Sequence, residues 1–139
     1  MAAMHAPLGV FGGTFDPIHV GHIELAREVR ETLQLAAVRA AGRIIPVGDP
    51  PHRAAPVATA FHRLAMSELA VEGVAGLEVD RREVDRAGRS FTVLTLETLR
   101  AEDAARPLAL IVGADAFLGF PGWHRWREIF ALAHVVVVA

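Results

Sequence analysis

The sequence predicts an α/β domain built on a doubly wound parallel sheet, and three features of its 139 residues carry that expectation. Short apolar runs of strand length alternate with segments whose apolar residues recur at helical spacing, the pattern of a parallel sheet covered on both faces. Two of those runs, "LGVFGG" and "LALIVG", end in glycine. Hydrophobic residues make up 53% of the chain, enough to bury a core at this length.

The elements follow in order. "PLGVFGG" (7–13) is an apolar run closed by glycines and reads as a buried strand. A helix is expected over 20–35, where Ala26, Val29 and Leu33 recur on one face while Glu24, Arg27, Glu28 and Glu31 take others. "GRIIPVG" (42–48) supplies a second strand and leads into the turn-rich "GDPPHRAAP". A second helix over 58–71 takes Leu64, Ala65, Leu69 and Ala70 as apolar positions, and "GLEVD" (76–80) is a third strand. In "SFTVLTLETLRAED", Phe91, Leu94 and Leu99 lie at helical spacing, with Ser90 or Thr92 as the cap. "RPLALIVGAD" is the fourth strand. A stretch rich in Gly, Pro and Trp then leads to a helix over 124–132 and a last strand, "HVVVVA". No repeat, low-complexity tract or linker divides the chain, so residues 1–139 are expected to form one domain.

Composition narrows the function. A formal net charge of −2 lacks the basic footprint of a nucleic-acid binder and points to a small-molecule partner. The chain has no Cys, which removes disulfides and thiolate nucleophiles. All 14 basic residues are Arg, so a P-loop lysine and a Schiff-base lysine are excluded. Apolar runs are far shorter than a membrane span, and "MAAMHAP" lacks the features of a signal peptide. A soluble cytoplasmic protein, with no membrane partner, is the expectation.

In a sheet of order 3-2-1-4-5 the first and fourth strands are neighbours whose connections leave in opposite directions, and ligands bind outside their carboxyl ends. "GGTFD" follows the first strand and "GAD" the fourth, so both should meet at one site. Gly12 and Gly13 let a ligand approach the backbone closely. Asp16-Pro17 suits a helix entry or a tight turn. His19 and His22, three apart with Gly21 between them, share one side of its opening turn. Backbone amides, helix-terminal potential and two imidazoles then converge on a point suited to phosphate. Metal coordination by the histidine pair is disfavoured, because no third ligand lies near in sequence. His5 belongs to the terminus, His62 to a helix surface and His134 to a strand start.

"GGTFDPIHVGH" (12–22) resembles the signature of the H-x-G-H nucleotidyltransferase superfamily. "IIPVGDPPHR", "RSFTVLTL", "LIVGADAFLGFPGWHRW" and "AHVVVVA" narrow the resemblance to the bacterial nicotinate-mononucleotide adenylyltransferase family. It implies a Rossmann-like nucleotidyltransferase fold that transfers the AMP part of ATP, with Mg²⁺, onto the phosphate of nicotinate mononucleotide. The substrate's own phosphate oxygen attacks, so no protein nucleophile is needed. The resemblance gives His19, His22 and Arg53 catalytic roles on phosphate. It lines the ATP cleft with Gly12, Gly13, Thr14 and Phe15 and adds Gly113 and Asp115 after the fourth strand. Asp115 by itself reads as a helix N-cap, and both roles are compatible. His52, Arg53, Thr92, Trp123 and His124 fall to the acceptor, with Trp123 stacked on the pyridine ring. Thr92 and the backbone at His124 lie at its carboxylate, while Trp126 reads as core.

Two departures stand out. "GDPP" replaces an asparagine-bearing loop common in relatives. Relatives also continue past "VVVVA" into another strand and a helical region with a Ser/Thr-rich motif that binds ATP phosphates. A fragment of a longer protein is therefore expected, with a naturally short relative as the alternative and the last strand near the sheet edge. Competing functions are transfer to another phosphorylated acceptor, such as pantetheine phosphate or nicotinamide mononucleotide, and nucleotide binding without turnover. "SFT" and "FPGW" argue against the former. Oligomeric state is left open, a homo-oligomer included.

Overall fold

The computed structural model describes residues 7–13, 20–33, 42–46, 59–82 and 91–138. Its strands are β1 (Leu8–Gly13), β2 (Gly42–Pro46), β3 (Leu77–Val79), β4 (Leu108–Gly113) and β5 (His134–Val138). Its helices are α1 (Val20–Thr32), α2 (Ala60–Val71), α3 (Thr92–Glu102), α4 (Ala114–Leu118) and α5 (Trp126–Leu132), with a 3-10 turn at Phe120–Gly122. The five strands form one sheet of order β3-β2-β1-β4-β5, the expected order. Every pairing is parallel.

Strand periodicity divides the interior in two, because successive side chains point to opposite faces. Leu8, Val10, Leu108, Leu110 and Val112 pack on one face with Val93, Leu96 and Leu99 of α3, Phe120, and Ile129 of α5. Phe11, Ala109, Ile111 and Leu77 pack on the other with Ala26 and Val29 of α1 and Val71 of α2. Burying a side chain of this size contributes about 1.5–3 kcal/mol over leaving it exposed, so both helix layers are held firmly. Among the described residues no helix is long and apolar enough to cross a membrane.

Several local expectations are corrected. Leu33 follows the end of α1 and is exposed, so the α1 face is carried by Ala26 and Val29 with Ile23 and Leu25 beside them. Leu69 is 70% exposed, because the buried stripe of α2 is Arg63, Leu64, Ser67 and Val71. Two of those four are polar, and apolarity alone therefore selects the wrong face. Thr59 caps α2 by accepting a hydrogen bond from the His62 backbone N–H at 3.2 Å, so the helix starts at Ala60, two residues later than expected. Phe91 occupies the N-cap of α3 without a side-chain bond, so Thr92 is the first helical residue and not the cap. Gly113 is the N-cap of α4, which places Asp115 in the first turn and removes its capping role. His124 lies in a turn before α5. His62 on α2 and His134 at the start of β5 are exposed, as expected.

Candidate functional site

β1 and β4 lie side by side, paired from Leu8–Leu108 to Phe11–Ile111. Chain order reverses direction here: β2 and β3 extend one way from β1, while β4 and β5 extend the other. Both strands end in glycine at the carboxyl edge, where Gly13 pairs with Pro46 and Gly113 with Val138. The opened crevice is the expected ligand position for such a sheet.

Gly113 has backbone angles open to any residue, φ −70° and ψ 156°. A methyl group built on it meets no atom of the described residues within 4 Å. Neither backbone strain nor packing among those residues explains a glycine there, whereas a ligand against the strand end does. Gly113→Val should therefore leave the melting temperature unchanged while weakening about tenfold the binding of a ligand seated on the strand end, the effect of a clash of about 1–3 kcal/mol. A binding titration with a parallel melting curve checks both halves.

His22 stands in the first turn of α1, half-buried, with its ring centroid 6.2 Å from that of Phe11 on β1. Phe11 precedes Gly12 and Gly13 directly, so the imidazole is held beside the glycine end of β1. His19, Thr14, Phe15, His52 and Arg53 lie outside the described residues. Asp115 is exposed at the start of α4.

A second group gathers between α3 and the turn before α5. Thr92 opens α3, and Phe91 beside it lies against the exposed His124 ring, centroids 4.3 Å apart and planes at 31°. Trp123 is half-buried against Phe120, at 4.7 Å between centroids. Phe120 is 2% exposed and also meets Phe117, Trp126 and Phe130. Trp126 packs against that same core, as expected. The Phe91–His124 contact thus sets the 123–125 turn, with Trp123 and His124, beside the start of α3 where Thr92 stands.

Sequence reasoning missed Phe91 as a ring partner, having read it as an apolar helix position. It also missed Arg125, whose guanidinium donates to Glu97 at 2.9 and 3.3 Å and to Glu128. Hydrogen bonding from Arg125 holds the Glu128 carboxyl below its ordinary value. A depressed carboxyl pKa adds stability above the unfolded-state value, and that stability is lost as pH falls through the folded one. The pair is exposed and screened by solvent, so at neutral pH Glu128→Gln should lower the melting temperature by no more than about 2–3 °C, a gap that closes below the ordinary glutamate range.

The switch point between two glycine-ended parallel strands, with an imidazole set beside one of them, defines a doubly wound α/β domain whose ligand position lies at the carboxyl ends of β1 and β4. The chain belongs to the cytidylyltransferase-like family, whose model matches residues 10–139. A Methylococcus capsulatus relative named "Probable nicotinate-nucleotide adenylyltransferase" is 50% identical over 132 residues, covering 94% of this chain and 61% of the relative. A Dechloromonas aromatica relative of the same name is 53% identical over 135 residues, covering 96% and 60%. The chain thus spans about three-fifths of the length of these curated relatives. Among solved structures, Plasmodium falciparum nicotinic acid mononucleotide adenylyltransferase complexed with NaAD superposes with a TM-score of 0.76 at 13% identity, covering 96% of this chain and 64% of that one. The same enzyme complexed with APC gives 0.68 at 12%, covering 96% and 74%. At that identity the likeness establishes the shared fold.

Proposed function

We propose that the chain transfers the adenylyl group of ATP to nicotinate mononucleotide, forming nicotinate adenine dinucleotide and pyrophosphate. The observation that carries this reading is the 50–53% identity with relatives of that name across the elements that build the switch point. A phosphate oxygen of the mononucleotide attacks the α-phosphorus of ATP. The bond from that phosphorus to the bridging oxygen breaks, and pyrophosphate leaves with the electron pair.

Such a reaction asks the protein for alignment and charge stabilisation rather than a nucleophile. The backbone at Gly12, Gly13 and Gly113 gives the nucleotide close approach to the sheet, and Asp115 stands at its adenosine side. His22, with His19, donates toward the ATP phosphates, and Arg53 offers a planar fork to phosphate. Mg²⁺ enters with ATP and neutralises phosphate charge. Trp123 offers its face to the pyridine ring, while Thr92, His52 and the His124 backbone receive the rest of the acceptor. Neutral donors at the ring carboxylate favour the acid over its amide. A reaction drawing on ATP belongs in the cytoplasm.

The test mixes the chain with Mg-ATP and either nicotinate mononucleotide or its amide and identifies the dinucleotide by mass. The reading predicts product from the acid and little from the amide. Nucleotide binding without product from either acceptor would replace transfer with a binding role.

A further inference from the structure

We propose that Arg125 is a positioning residue for the acceptor site, its side chain fastening the 123–125 turn to α3 so that Trp123 and His124 face Thr92 in fixed register. The inference rests on the proposed roles of Trp123, His124 and Thr92.

Arg125 adopts φ 51° and ψ 41°, and it is the one described residue other than glycine with positive φ. An L-residue persists there only where its surroundings hold it. The surroundings are two carboxylates from different helices. Glu97 on α3 takes both terminal nitrogens of the guanidinium, and Glu128 in the first turn of α5 takes Nη2 at 3.1 Å as well as Nε. Glu97 stands five residues beyond Thr92, about 7.5 Å along the same helix. The Phe91–His124 ring contact ties the turn to the start of that helix. Two attachments at different heights on one helix fix both the position and the rotation of the turn between them.

Exposed ion pairs of this kind add little to stability, so a strained backbone retained beside them needs another account. Geometry supplies it. The residues just before Arg125 are the two assigned to the pyridine ring, and the helix they are tied to carries the third acceptor contact. Arginine suits the task because its planar fork engages Glu97 with two parallel bonds, which a lysine cannot reproduce.

The test uses Arg125→Gly, which tolerates positive φ yet removes the guanidinium, and Glu97→Gln, which leaves Arg125 in place. Calorimetric titration with nicotinate mononucleotide and with ATP is run beside steady-state kinetics and melting curves. Acceptor affinity should fall about tenfold in both variants, with ATP affinity within roughly twofold and melting temperatures within about 3 °C of wild type. Arg125→Lys should fall between wild type and Arg125→Gly. Unchanged acceptor affinity in Arg125→Gly overturns the inference, as does an equal loss for both ligands with lowered melting temperature, the mark of a structural role. A wild-type chain that binds ATP but no mononucleotide overturns the functional reading and this inference with it.

Discussion

His22→Ala should lower kcat by about 10²–10³-fold, equivalent to roughly 3–4 kcal/mol of barrier, the usual cost of removing one preorganised donor from developing phosphate charge. The side chain is half-buried in the first turn of α1, at the end of the stripe that Ala26 and Val29 bury more deeply, so folding should survive its loss. Acceptor affinity should hardly change, because the residues proposed for the acceptor lie around α3 and the 123–125 turn. Single-turnover and steady-state rates, with acceptor binding measured separately, check this pattern. A loss smaller than about fivefold would remove His22 from the transition state.

Phe120→Ala should destabilise the fold by about 3–5 kcal/mol, the range for a large aromatic truncated in a packed core. Phe120 is 2% exposed and touches four aromatic neighbours, with ring centroids at 4.7, 5.3, 5.5 and 6.5 Å. Truncation leaves a void that those rings cannot fill without leaving their rotamers. For a domain of this size the melting temperature should fall by roughly 10–20 °C. Trp123 loses its backing at the same time, so acceptor affinity should drop even at temperatures where the variant is folded. Phe120→Leu, which keeps most of the volume, should recover much of both losses. Denaturant unfolding of the pair separates volume from aromatic contact.

Strand assignment from sequence succeeded where the physics is local. β4 is five apolar residues ended by a glycine, buried from Leu108 to Val112, and no helical pattern competes with it. The alternation of elements predicts a doubly wound sheet, and 3-2-1-4-5 is the strand order expected of one. Helix faces were harder, because α2 turns Arg63 and Ser67 inward and Leu69 outward. Phobicity cannot report that choice; only the neighbouring strands can. The glycine ends of β1 and β4 were legible since a glycine closing an apolar run is read from the sequence directly. Arg125 was illegible for the opposite reason: left-handed backbone at an arginine has no sequence signature, and its partner Glu97 lies 28 residues away.

The alternation of side chains across β1 and β4 makes the sheet a partition between two independently packed compartments. The imidazole of His22 leans on Phe11, which belongs to the compartment shared with α1 and α2. Trp123 leans on Phe120, which belongs to the one shared with α3 and α5. Repacking behind either group leaves the other's support in place. The proposed donor site and acceptor site can therefore drift apart in sequence without a compensating change across the wall that separates them.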